Sequence, residues 1–158
     1  MEIRKAAAAD FETLMQIYAD ARAFMALHGN PTQWGDSRPT AAQIQQDIQR
    51  QKCYVCMENG QIAAVFYFAV EPEPTYAHIE GGWQNNAPYG VVHRIAAASG
   101  TRGAATFCLN WAFAQCGNLR IDTHENNKPM QSLLHKLGFA PCGTIYLADG
   151  APRLAFQK

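Results

Sequence analysis

Two hydrophobic periods alternate along the chain. A short extended run, Ile3 to Ala6, reads as a strand. From Phe11 the apolar residues Leu14, Met15, Tyr18, Ala21 and Met25 fall at helical spacing. They predict a helix over 11–28, with Asp10 as its N-cap and Gly29-Asn30 as its stop. Thr40-Ala41-Ala42-Gln43 is a capping-box pattern. It opens a second helix whose inner face holds only Ile44 and Ile48, as expected of a surface or lid-like element. Cys53–Glu58 and Gln61–Val70 read as strands joined by the hairpin turn Asn59-Gly60. Glu71-Pro72-Glu73-Pro74 breaks the pattern, and Thr75 to Pro88 reads as irregular.

A buried strand follows over Tyr89–Ala97, then a turn at Gly100–Gly103 and an apolar helix over Ala104–Cys116. Leu119–Thr123 is another strand. Pro129 suits the first turn of a helix whose apolar stripe is Met130, Leu133, Leu134 and Leu137. Thr144–Leu147 and Arg153–Phe156 flank the turn Asp149-Gly150. The order β-α-α-β-β-β-α-β-α-β-β implies an α/β (α+β) fold. It has one mixed, twisted sheet of about seven strands and about four helices. With no repeat and no linker, residues 1–158 form one domain.

Composition narrows the function classes. Hydrophobic residues are 48% of the chain and charged residues 16%, so a disordered chain is excluded. Lys plus Arg is 13 and Asp plus Glu is 13. The balance argues against nucleic acid and against a polybasic membrane surface as partners. No apolar run is long enough to span a membrane, and Met1-Glu2-Ile3-Arg4-Lys5 is no signal peptide. Five cysteines without an export signal point to a reduced, cytoplasmic protein. Cys53-x-x-Cys56 lies within a strand and has no second ligand pair, so the cysteines read as structural thiols and no metal is expected.

The stretch from His93 to Trp111 carries the chemistry. A buried strand, a small-residue turn and an immediate helix place unpaired N–H groups and the positive dipole end together, a pattern that fits an anion site and equally fits simple close packing of small residues. This order, with Arg102-Gly103-Ala104-Ala105 followed by Asn127-Lys128-Pro129 and a helix ending in Leu137-Gly138-Phe139, resembles the GNAT acetyltransferase superfamily. The resemblance runs over essentially the whole chain. It implies acetyl-CoA as co-substrate, transfer of its acetyl group to a primary amine of a small molecule or protein, and direct attack on the thioester. In that family a Gln/Arg-x-x-Gly-x-Gly/Ala turn cradles the pyrophosphate. The resemblance therefore places the cofactor against Ile95, Ala96, Ala97, Arg102, Gly103, Ala104, Ala105 and Asn127. The turn fits in two registers. One puts Arg102 at the Gln/Arg place, and the other, preferred because Phe107 would block backbone approach, puts Gly103 and Ala105 at the small positions.

One departure matters. Family members often carry a tyrosine seven residues after the asparagine, as acid for the leaving thiolate, and here that residue is Leu134. A thiol pKa near 8.5 makes unaided departure tolerable. The amine must be neutral to attack: a lysine-type amine is neutral at pH 7 roughly once in 2,500, an α-amine roughly once in six. The candidate bases are His93, on the central strand, and Glu80, in the loop feeding it. His93 equally reads as a hydrogen-bonded core histidine and Glu80 as a solvated loop carboxylate. Tyr89 and Tyr146 are possible acids or packing residues. His124 sits where a strand meets a helix, and Trp34 and Trp83 are candidate walls for an acceptor pocket. The rival is a non-catalytic acyl-CoA-binding sensor of the same fold, favoured by Leu134 and opposed by His93 and Glu80. A homodimer is compatible with the chain, whose sequence does not fix its oligomeric state.

Overall fold

The computed structural model describes all residues, 1–158. One sheet of 8 strands forms the middle layer. In chain order the strands are β1 (Glu2–Lys5), β2 (Cys53–Glu58), β3 (Gln61–Val70), β4 (Glu80–Gly81), β5 (Gly90–Ala97), β6 (Leu119–Thr123), β7 (Ala140–Tyr146) and β8 (Pro152–Gln157). The helices are α1 (Phe11–Leu27), α2 (Ala41–Gln49), α3 (Ala104–Cys116) and α4 (Lys128–Lys136). Across the sheet the order is β1-β2-β3-β5-β6-β8-β7-β4. All pairs are antiparallel except β5 with β6.

The period-2 pattern of the strands decides which layer each residue joins. Phe66, Phe68 and Val92 point to one face, where Cys108, Leu109 and Ala112 of α3 and Leu134 of α4 cover them. Val65 and Ala96 point to the other, under Leu14, Ile17 and Tyr18 of α1 and Ile44 of α2. A third cluster, Tyr76, Val91, Ile145 and Ala155, lies beneath the chain between β3 and β5. Trp111 packs on Tyr54, Phe66 and Phe68, so it belongs to the core.

Four local expectations need correction. Asp10 stands at the N-cap of α1, but its side chain makes no cap hydrogen bond there. Its carboxylate accepts from Ala7 N at 2.7 Å and pairs with Arg4, closing a 3-10 turn over Ala8–Asp10. The second helix is a surface element, as expected, but it is tied to the sheet. Thr40 does cap it, but Asp47 lies buried on its inner face and receives two hydrogen bonds from Arg94, at 3.0 and 3.2 Å. The sheet has one strand more than expected, because Glu80 and Gly81 pair with Thr144 and Gly143. Gly81 and Gly143 both have positive φ, and a Cβ on either would strike the opposite backbone. Only glycine allows this approach. Finally, β7 starts four residues earlier than the Thr144 expected, at Ala140.

Candidate active site

β5 and β6 are hydrogen-bonded only at their beginnings, Gly90 with Leu119 and Val91 with Arg120. Beyond that they part, and a cleft opens between them. A β-bulge in β5 sits at the same place. Tyr67 pairs with His93 and Val65 with Ala96, so Phe66 alone opposes both Arg94 and Ile95. Arg94 absorbs the extra residue with φ +51°, in the left-handed region. Such a bulge bends the strand and re-aims its side chains. Two contacts hold it: the buried Tyr18 hydroxyl donates to Arg94 O at 2.7 Å, and the Arg94 guanidinium forks onto Asp47.

The cleft has two chambers that share Met25, Ile95, Asn127 and Met130. One, of about 470 Å³, is lined by Ala96, Ala97, Ala98, Ser99, Gly100, Thr101 and Ala105, with α1 and α4 as its walls. It runs to the N-terminus of α3, where Gly103 is the N-cap with φ +75° and the first N–H groups have no helical acceptor. Thr101 ties the turn by donating to Ala98 O at 2.7 Å. Arg102 and Gly103 are exposed and Ala104 is buried in the core, and none of the three lines either chamber, so of the expected turn residues only Ala105 does. Asn127 caps α4 by accepting from Met130 N at 3.2 Å, and it donates to Gln33 Oε1 at 3.0 Å. Gln33 is thereby fixed, and the loop after α1 is drawn over the cleft.

The other chamber, about 440 Å³, is lined by His93, Asp122, Thr123, Trp34 and Arg153 among others. His93 Nε2 lies 3.1 Å from Glu73 Oε2, and Nδ1 lies 4.0 Å from Asp122 Oδ1. The His93 hydrogen bond holds the Glu73 carboxyl below the usual carboxylate range, against the opposing effect of burial. An ionised Glu73 only accepts, so Nε2 donates to it, and Nδ1 faces Asp122. Asp122 is itself held by the Tyr76 hydroxyl at 2.6 Å, and burial pushes that phenol well above its ordinary value. Thr123 Oγ1, buried in this chamber, has no hydrogen-bond partner.

The expected residues are thus divided. His93, Ile95 and Asn127 line the cleft, as do Ala96, Ala97 and Ala105. Glu80 is not brought to His93. It lies on the edge strand β4, separated from β5 by β6, β8 and β7, where the Tyr146 hydroxyl donates to it. Trp34 lines the second chamber, while Trp83 stacks on Arg120 outside it. Tyr89 receives a hydrogen bond from Glu73 N. His124 accepts from Asn126 N and sits 3.2 Å from Thr32 Oγ1, a turn-closing role. Leu134 is fully buried in the core. Sequence reasoning missed Glu73. The available signal was Pro74 in the first helical position, which marks Glu73 as an N-cap and so as a held carboxylate.

Comparison with solved structures decides the family. An acetyltransferase of the GNAT family from Streptococcus agalactiae is 35% identical, with a TM-score of 0.90 over 99% of this chain and 94% of that one. The chain belongs to the GNAT family of acetyltransferases. Two more distant structures share the fold. One is a ribosomal-protein-alanine N-acetyltransferase from Brucella melitensis, 19% identical with a TM-score of 0.67 over 100% of this chain and 99% of that chain. The other is a Salmonella typhimurium protein solved with its cofactor acetyl-CoA, 16% identical with a TM-score of 0.65 over 99% of this chain and 92% of that chain. No family model and no curated protein matches the sequence. No helix of this GNAT protein is long and apolar enough to cross a membrane.

Proposed function

We propose that this protein is an N-acetyltransferase that moves the acetyl group of acetyl-CoA to a primary amine, with His93 as the base. The observation that carries the reading is the two-chambered cleft at the parting of β5 and β6. One chamber ends in a helix N-terminus among small residues, and the other holds a histidine between two carboxylates. The first fits the cofactor, because phosphate needs N–H donors and close backbone approach, and Gly100, Gly103 and Ala105 leave both open. The relative solved with acetyl-CoA, alike in fold, supports the same assignment. When bound, acetyl-CoA supplies an acyl carbon activated as a thioester.

The residues then divide the work. The bulge turns the end of β5, Ile95 to Ala97, along the cofactor chamber. Asn127 and Met130 close it from α4. In the second chamber His93 Nδ1 takes the proton that the nitrogen loses as the N–C bond forms and the C–S bond breaks. Glu73 fixes the tautomer, and Asp122, 4.0 Å from Nδ1, favours the imidazolium that results. The proton can return to the departing sulfur. Leu134 cannot donate a proton, so the position of the family's tyrosine supplies no acid, which is the observation that favours the sensor reading.

The deciding experiment is an amine screen with mass-spectrometric detection of the acetylated product, beside a calorimetric titration with acetyl-CoA. Binding together with turnover of at least one primary amine is expected. Binding with no turnover across the panel would establish the sensor reading, and no binding would remove both.

A further inference from the structure

Four arginines are buried or line the cleft; Arg38 is exposed at the chamber's rim, and the other three differ in how their charge is met. Arg94 forks onto Asp47. Arg120, 5% exposed, is stacked between Trp83 and Tyr89, with its guanidinium carbon 4.2 and 3.9 Å from the ring centres. Arg153, 8% exposed, lines the His93 chamber and has neither kind of partner. Its guanidinium donates to two backbone carbonyls, Gln33 O at 3.1 Å and Pro152 O at 2.9 Å, and no carboxylate lies within ion-pair distance. A guanidinium has five N–H donors, so three remain unspent. No Arg153 atom is among the sealed, partnerless polar atoms, so these donors open on the chamber, where an anion would meet them with two parallel hydrogen bonds.

The strand pattern shows that this placement is not incidental. Along β8, Leu154 and Phe156 face α3, while Arg153, Ala155 and Gln157 face the other way. Ile145 and Ala155 make that second face apolar, and Arg153 is the charged residue at its cleft end. Burial lowers the Arg153 pKa from its ordinary value, with Asp122 and Asp149 acting in the opposite sense at longer range. The chamber therefore offers a planar, pre-positioned anion receptor alongside the base.

We propose that the acetyl acceptor is a small primary amine carrying a carboxylate, of the free amino-acid type, whose carboxylate sits on Arg153 while its nitrogen faces His93. This rests on the acetyl-transfer reading above. A planar carboxylate matches the guanidinium fork in two parallel hydrogen bonds. A peptide N-terminus presents a neutral amide at the same place and leaves the charge unmet, so free amino acids are preferred over peptides.

The test compares free amino acids with their carboxamides and with dipeptides, in the unaltered protein and in Arg153→Met. The unaltered protein is expected to favour the carboxylates by about 10- to 100-fold in kcat/KM. In Arg153→Met the preference falls to near unity, and Arg153→Lys, which keeps charge without the fork, is intermediate. The melting temperature of Arg153→Met stays level or rises, because an unpaired buried charge has been removed. Calorimetry with N-acetylated amino acids and their amides reads the same discrimination without turnover. Equal use of carboxylates, amides and dipeptides by the unaltered protein overturns the proposal. So does a preference that survives Arg153→Met, or a lower melting temperature with selectivity intact. Acetyl-CoA affinity, measured separately, is unchanged in every variant. Its absence from the unaltered protein would instead strike the acetyl-transfer reading.

Discussion

The two chambers of the cleft are built on different principles. The chamber toward α3 is lined by Ala96 to Thr101 and Ala105, a nearly continuous stretch of small residues that offers backbone N–H groups and a helix dipole. The chamber toward β8 is made by side chains, with His93 from β5, Asp122 from β6 and Arg153 from β8 converging across three strands. A backbone site tolerates many side chains provided they are small. A side-chain site fails when one group is lost. The same cleft is thus robust at one end and brittle at the other.

The brittle end should show the largest effect. His93→Ala is expected to lower kcat by about 10²–10⁴ and to leave acetyl-CoA affinity intact. Product formation and calorimetry check the two halves. A variant that keeps its kcat would make His93 a structural residue. The support beneath the bulge comes next. Asp47 is 4% exposed, and Asp47→Ala strands the Arg94 guanidinium. The expected loss is about 3 kcal/mol, at the lower end of the range for broken buried pairs. In a chain of this length that lowers the melting temperature by roughly 6–12 °C. Asp47→Ala with an unchanged melting temperature would show that Tyr18 alone holds β5.

Ala105→Glu tests the robust end. A glutamate in the first turn of a helix stabilises it, so the fold should be unharmed. Its charge and bulk would meet the pyrophosphate at the proposed site, and acetyl-CoA affinity should fall by about tenfold or more, or roughly 1.4 kcal/mol. Full affinity in this variant would move the phosphate away from α3.

What could be read beforehand follows the same division. The strand–turn–helix from Gly90 to Cys116 was legible because its signals are local: an apolar run, φ-permissive glycines and a helix start lie within about thirty residues. Asn59-Gly60 was legible for the same reason. The side-chain chamber was not. Glu80 is close to His93 in sequence, but the Gly81–Gly143 approach carries it to the far edge of the sheet. Glu73 reaches His93 only through the β3–β5 register, in which Tyr67 opposes His93. That register shifts at a bulge, which no alternation of apolar residues announces. Arg153 could be seen as a charge in the inward phase of a strand. Whether such a residue meets a partner or a cavity depends on the neighbouring strand.

The smallest expected effect belongs to Arg102, which the pyrophosphate motif made prominent. The structure leaves its side chain exposed and outside both chambers. From there it can reach a bound phosphate only as a solvated charge, and exposed pairs contribute little. Arg102→Ala should weaken acetyl-CoA by about two- to fivefold at low ionic strength. Near 1 M salt, where the Debye length is about 3 Å, the loss should vanish. Ala105→Glu provides the contrast, because its steric part survives salt. A tenfold, salt-independent loss in Arg102→Ala would mean that the guanidinium folds onto the turn when the cofactor binds. The robust chamber would then depend on a side chain after all.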